Sequence, residues 1–181
     1  PEASVPLGVQ VMLHDPKASL ATAKFSGGSF IRTDYFVDRM ARKEYGGEMK
    51  LDPAGWLQYR KKIQAEDVLI LTDVQVKYAT LLEKEKAISQ SVLQAIDKGS
   101  DGIIVTGNFT GEEPNLGQLI EAKKAAGDFP VLVGSGFDSG NARRFLEYCD
   151  GAIVGTSLKT GGEIGVDKVK TLMSAVRSSH L

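Results

Sequence analysis

The sequence predicts an α/β fold: a (β/α)8 or TIM barrel of which about six C-terminal βα units are present, forming one domain over residues 1–181. Three observations predict it. Short apolar runs alternate with longer segments of helical period, the pattern of a parallel sheet covered by helices. The approach to a strand also repeats. Gly99-Ser100-Asp101-Gly102-Ile103-Ile104-Val105 parallels Tyr148-Cys149-Asp150-Gly151-Ala152-Ile153-Val154, and Val5-Pro6-Leu7-Gly8 parallels Phe129-Pro130-Val131-Leu132; repeated βα units are what a barrel is made of. Finally, the first strand leads into Leu13-His14-Asp15-Pro16, where a doubly wound dinucleotide fold would carry G-x-G-x-x-G.

The elements follow in order. Gly8 to Leu13 reads as the first strand, and Asp15 to Phe25 as a helix with Ala18, Ala21 and Phe25 on one face. Phe30 to Thr33 is the second strand. A long polar stretch, Asp34 to Lys50, precedes a helix from about Asp52 to Gln64. Val68 to Thr72 is the third strand, answered by a helix with Ile88, Val92, Ala95 and Ile96 at helical spacing. Gly102 to Thr106 is the fourth, with Leu116, Leu119, Ile120 and Ala126 on the helix after it. Pro130 to Val133 is the fifth, followed by Ala142, Phe145 and Leu146. Gly151 to Val154 is the sixth, and its helix carries Val166, Val169, Met173 and Val176.

Six units do not close an eight-stranded barrel, which takes about 250 residues. The opening Pro1-Glu2-Ala3-Ser4-Val5-Pro6 reads as a helix-to-strand connection. Two further N-terminal βα units are therefore expected to precede this segment.

Composition narrows the partners. Among 181 residues, 42% are hydrophobic and 25% charged, and the net charge is −1, which gives no electrostatic case for nucleic acid or an anionic membrane surface. The basic run Arg60-Lys61-Lys62 reads as the solvated face of a helix. No apolar run approaches the roughly 20 residues of a membrane span, and a cytoplasmic location is expected. The tail Ser179-His180-Leu181 only loosely resembles a peroxisomal address. Cys149 is the sole cysteine; it excludes an internal disulfide and reads as a buried structural thiol. Trp56 and Tyr59 could serve helix packing or a homo-oligomer interface.

The chemistry of such a barrel lies at the C-terminal ends of its strands. Val133 leads into Gly134-Ser135-Gly136, and Val154 into Gly155-Thr156-Ser157. Glycine lets backbone N–H groups approach an anion, and the hydroxyls add donors. Two such turns on the last two strands form the usual phosphate cradle of this architecture, so a small phosphorylated ligand is expected there. Other strand ends supply Asp15, Arg32, Asp34, Asp73, Gln75, Lys77, Asn108 and Thr110. Asp73, Lys77 and Asp15 are the candidates for catalysis, and Arg32, Asp34 and Asn108 for substrate contacts. An Asp with a nearby Lys could form an acid–base pair, or hold a divalent ion such as magnesium with the substrate phosphate. Otherwise no cofactor is evident, and no dedicated metal site. Asp15 before Pro16 also suits a helix N-cap, Asp73 and Lys77 could simply pair, and Glu112-Glu113-Pro114 reads as a solvated helix start.

At these residues the sequence resembles the BtpA family, a group of TIM-barrel proteins named for a photosystem I biogenesis factor. The resemblance is carried by Gly27-Gly28-Ser29-Phe30-Ile31-Arg32, Thr72-Asp73-Val74-Gln75-Val76-Lys77, Asp101 to Gly107, Val131 to Gly136 and Asp150 to Lys159. It implies a full-length barrel with two more N-terminal units. It also implies either an enzyme of a phosphorylated metabolite, a sugar phosphate or nucleoside derivative, or a non-catalytic photosystem I assembly factor. Two departures stand out: Gln75 and Tyr78 occupy positions where the family often has histidines, and Asp34 one where it often has Asn.

Overall fold

The computed structural model describes residues 4–11 and 14–178. The six predicted strands appear as β1 (Gly8–Val9), β2 (Phe30–Thr33), β5 (Leu69–Val74), β7 (Gly102–Val105), β8 (Val131–Val133) and β9 (Gly151–Ala152). The expected first strand is thus seen over Gly8–Val9; Met12 and Leu13 lie outside the described residues, as do Pro1-Glu2-Ala3 and the tail Ser179-His180-Leu181. The order β1-β2-β5-β7-β8-β9 follows the chain without reversal, every pair parallel. A doubly wound sheet would turn back at a switch point; this one winds in a single direction, as a TIM barrel does. The right-handed crossover then puts the connecting helices on one face.

Those helices are α1 (Pro16–Ser26), α2 (Pro53–Lys62), α3 (Ile88–Asp97), α4 (Leu116–Ala126), α5 (Ala142–Leu146) and α6 (Val166–Ser178). Two start the same way. Asp15 and Asp52 each accept an N–H bond from the third residue on, at 2.9 Å, with proline in the first turn. α3 buries Ile88, Val92 and Ala95 as its period predicts. Other faces differ from expectation. α1 buries Ser19, Leu20 and Ala23 while Phe25 is 82% exposed, and α6 buries Leu172 while Val166 and Met173 face outward. Ile120 of α4 is likewise exposed beside buried Leu119 and Ala122. Trp56 is buried in the core against Phe36, so helix packing is its use.

The sheet has two unlike faces. Beneath the helices, Ile31, Ile70, Ile103, Val105, Val131 and Val133 are almost wholly buried. The opposite face carries Phe30, Arg32, Leu71, Asp73, Ile104 and Leu132 in register. It is only partly covered, with Leu69 46% exposed.

The repeated approach to a strand has a physical reason. Asp101 accepts the Ile70 N–H at 2.8 Å and pairs with Arg60 of α2 at 3.0 Å. Asp150 accepts the Val131 N–H at 2.8 Å and pairs with Lys123 of α4 at 2.8 Å. Each aspartate ties its own strand to the preceding strand and to the helix in front of that one. Arg60 is therefore not merely a solvated charge: it also donates to the Ala65 and Glu66 carbonyls.

The polar stretch after β2 is the largest departure from expectation. It holds β3 (Met40–Arg42) and β4 (Gly47–Glu48), which join β6 (Thr80–Leu81), from the connection after β5, in an antiparallel sheet β4-β3-β6. This excursion buries Tyr35, Met40 and Val76 in a second small core. A hairpin of β10 (Lys159–Thr160) and β11 (Glu163–Ile164) follows the last large strand.

Phe145 is fully buried on α5, so Phe145→Ala should lower unfolding free energy by about 3–5 kcal/mol. Phe25→Ala should change it by less than about 0.5 kcal/mol. Urea unfolding measures both; equal effects would contradict the packing described.

Candidate functional site

The strand ends gather most of the expected residues on one edge of the sheet. A cleft of about 400 Å³ is lined by Arg32, Lys77, Thr110, Gly111, Gly134, Ser135, Gly136 and Gly155, Thr156, Ser157, together with Phe137 and Asp138. All six candidate phosphate ligands share it. Among the described residues, the N–H groups of Ser135, Gly136, Gly155, Thr156 and Ser157 have no protein acceptor. Unused backbone donors around a cleft are the ordinary makings of an anion site.

The glycines divide by purpose. A side chain at Gly134 would strike Ile104 and Thr106, and one at Gly136 (φ +64°) would run into the Glu113 backbone. Packing requires those two. Gly155 faces open space, and there a ligand can approach the backbone. The hydroxyls are partly committed: Ser135 Oγ accepts the Gly107 N–H at 2.8 Å, and Ser157 Oγ donates to the Phe137 carbonyl at 2.8 Å. Both bonds brace the turns.

Arg32 forms the opposite wall, held from β2 to β5 by Asp73. Nε and Nη2 donate to the two carboxylate oxygens at 2.7 and 2.8 Å. The Asp73 side chain is 0% exposed, and that of Arg32 19%. Burial pushes the Asp73 carboxyl upward while the guanidinium pulls it down. Burial acts to lower Arg32 too, yet Asp73 holds it above its usual value. A carboxylate bound at both oxygens and shut from solvent is poorly placed to take a substrate proton. It is well placed to fix a cation.

Lys77 lines the same cleft, and among the described residues no carboxylate pairs with it. An Asp73–Lys77 ion pair, the plainer of the two readings of these residues, does not form. The turn carrying Lys77 is flanked by Gln75 (φ 47°) and Tyr78 (φ 62°), both left-handed without being glycine, a costly conformation kept where the surroundings fix it. The fixing is visible: the Gln75 N–H donates to Asp38 at 2.7 Å, and its amide to Lys86 O and Ser91. Asp38, 3% exposed, also receives Ser91 Oγ at 2.6 Å and Lys86 at 2.8 Å.

The remaining candidates lie elsewhere. Asp15 caps α1 and does not line the cleft. Asp34 accepts from Gln10 at 3.0 Å and stands 3.9 Å from Arg32. Asn108 lines an adjacent cavity and donates to Glu112 at 3.2 Å. Glu112 and Glu113 do not start a helix. Glu112 accepts the Asn108 and Phe109 N–H groups, and Glu113 binds Asn141 and Arg144; α4 begins later, capped by Asn115. Thr110, expected at a strand end, does line the cleft, whereas Gly111 and Phe137 escaped sequence reasoning because irregular loops carry no period. Cys149 is buried, its thiol pushed up by that burial. Among the described residues, no three His, Cys, Asp or Glu side chains cluster to hold a metal, and no helix is long and apolar enough to cross a membrane.

The sequence profile described as the BtpA family matches residues 1–178. The "Photosystem I biogenesis protein BtpA" of Synechocystis is 37% identical over 160 residues, covering 88% of this chain and 54% of that protein. An uncharacterized protein of Archaeoglobus fulgidus is 32% identical over 176 residues, covering 97% and 69%. The chain therefore spans between about half and two thirds of the length of these relatives. Among solved structures, N-(5'-phosphoribosyl)anthranilate isomerase from Pyrococcus furiosus superposes with a TM-score of 0.64 at 10% identity, covering 98% of this chain and 76% of that one. That likeness is one of fold, and it supports the TIM-barrel-like architecture.

Two outcomes follow from the geometry. Asp73→Asn removes the bidentate partner of a half-buried guanidinium, leaving Asp34 at 3.9 Å, and should cost about 3 kcal/mol in urea unfolding, whereas Asp15→Ala removes only a cap and should cost about 1 kcal/mol. The second concerns His14, wedged edge-on between the Tyr35 and Trp56 rings at 5.1 and 5.2 Å. Burial holds its imidazole below the ordinary 6.5, with Lys50, Asp34 and Asp15 acting the other way. Its folded form resists protonation, so its contribution to stability is intact above pH 6.5 and lost as pH falls through the depressed value. Unfolding measured from pH 7.5 downward should therefore show a shallower acid loss in His14→Gln than in the unaltered chain.

Proposed function

The chain belongs to the BtpA family, and from that premise we propose that it binds a small phosphorylated metabolite, a sugar phosphate or nucleoside derivative, at the C-terminal face and acts on it as an enzyme. One observation carries the reading. Both glycine-hydroxyl turns, with their unused N–H groups, share a single cleft with Arg32 and the unpaired Lys77. The phosphorylated compound in the name of the Pyrococcus isomerase lends support, since its barrel superposes on this one.

The roles follow from placement. Gly134, Ser135, Gly136, Gly155, Thr156 and Ser157 hold the phosphate, through backbone donors and the Thr156 hydroxyl. Arg32 offers a second charge, oriented by Asp73, which becomes a positioning residue rather than a proton carrier. Lys77 is left as the group for proton donation or electrophilic stabilisation at the reacting atoms. Asn108 and Asp34 border the remainder of the ligand, and Asp15 keeps its cap. These roles call for no cofactor, though a divalent ion such as magnesium could accompany the phosphate. In the longer relatives, further βα units would complete the eight-stranded barrel between β1 and β9. The half-covered inner face and the exposed Phe25, Val166 and Met173 on the terminal helices support that closure. The protein is proposed to work in the cytoplasm, as a homo-oligomer where outer helices associate.

The name of the Synechocystis relative supports a second reading, a non-catalytic photosystem I assembly factor. Restoration of photosystem I in a host lacking its own BtpA protein, by the Lys77→Met variant as well as by the unaltered chain, would favour it.

Differential scanning fluorimetry against a panel of phosphate esters tests binding. At least one ester should raise the melting temperature of the unaltered chain. Gly155→Glu, which has open space for its side chain, should keep the unliganded melting temperature and lose that response. No response from the unaltered chain to any ester would overturn the reading.

A further inference from the structure

The cleft has a neighbour that the phosphate does not need. A second cavity of about 360 Å³ is lined by Met40, Val74 to Leu81, Ile88 and Val105 to Phe109, with Gln118. The two are adjoining rooms: Lys77 stands in both walls, and the stretch 108–111 lends Asn108 and Phe109 to one and Thr110 and Gly111 to the other.

Three features describe what fits the second room. Two aromatic rings are left open to solvent at its wall, Tyr78 at 43% and Phe109 at 60% exposure, in edge contact at 5.7 Å. The Tyr78 hydroxyl accepts the Thr110 N–H at 2.6 Å, so one ring also pins the loop that divides the rooms. Thr106, only 8% exposed, has a hydroxyl without a hydrogen-bond partner among the described residues, and a buried unpaired hydroxyl is costly unless a ligand completes it. Asn108 and Gln118 add amides to the same wall.

Flat apolar faces with hydrogen-bonding groups beside them suit a planar heterocycle, whereas a sugar alone would leave the rings bare. We propose that the phosphorylated ligand is a nucleoside monophosphate, with its base against Tyr78 and Phe109, the base edge toward Thr106 and its phosphate at Gly155-Thr156-Ser157. Lys77 then lies between base and phosphate, beside the sugar. This assignment rests on the phosphate-binding reading above and narrows it to one substrate class.

Isothermal titration of the full chain with purine and pyrimidine nucleoside 5'-monophosphates, and with ribose 5-phosphate, separates the two claims. One nucleotide should bind about tenfold or more tightly than ribose 5-phosphate, the scale of one base–aromatic stack. Phe109→Ala, at an exposed loop position, should bring that nucleotide down to the level of ribose 5-phosphate without changing ribose 5-phosphate itself. Thr106→Val should narrow the spread among bases. Ribose 5-phosphate binding as tightly as every nucleotide, indifferent to Phe109→Ala, would overturn the base site and leave the phosphate reading intact. No binding of any phosphate ester would overturn both.

Discussion

A buried ion pair sets the terms for the site. Arg32 and Asp73 face each other across β2 and β5 on the inner side of the sheet, bonded at both carboxylate oxygens. Neither charge can stay there alone, because desolvating an unpaired ion costs several kcal/mol. The pair thus fixes a guanidinium at the wall of the cleft and commits both oxygens of the buried Asp73 carboxylate to it. Gly134 completes the arrangement, since a side chain there would crowd Ile104 and Thr106 and come within 3.5 Å of the guanidinium.

From Asp73 the chain passes at once into the turn that bears Lys77 and Tyr78, so the same strand end orients the next layer of the site. Two left-handed residues shape this turn, and the Asp38–Lys86–Ser91–Gln75 knot holds it. Asp38 comes from the connection after β2 and Ser91 from α3. The knot therefore couples the small antiparallel sheet, with its own core of Tyr35, Met40 and Val76, to the barrel wall. The result is a cation with no counter-ion among the described residues, at the boundary of two cavities, on backbone held by that knot.

The parallel sheet and its helices were legible in the sequence because each unit advertises itself locally, by an apolar run and a helical period, and two of the helices by an Asp-Pro cap. The glycine-hydroxyl turns were legible for a similar reason: glycine, serine and threonine follow directly on apolar strands. The small sheet was not. Its two- and three-residue strands pair across some 40 positions (Met40 with Leu81), and nothing periodic marks them. Electrostatic roles were equally hidden. Asp73, Arg60 and Glu113 each look like free charges until the fold supplies Arg32, Asp101 and Arg144 as partners. The helix faces misread on α1 and α6 fall at the ends of the sheet, where a helix has neighbours on one side only.

Phosphate binding requires that an anion sit where the unused N–H groups meet Arg32. Crystals soaked with tungstate, an anion of phosphate shape with strong anomalous scattering, answer this directly. The predicted result is a single dominant anomalous peak within hydrogen-bond distance of the Gly155-Thr156-Ser157 backbone, lost in Gly155→Glu. A dominant peak elsewhere, or an empty cleft at full occupancy of other sites, would contradict it.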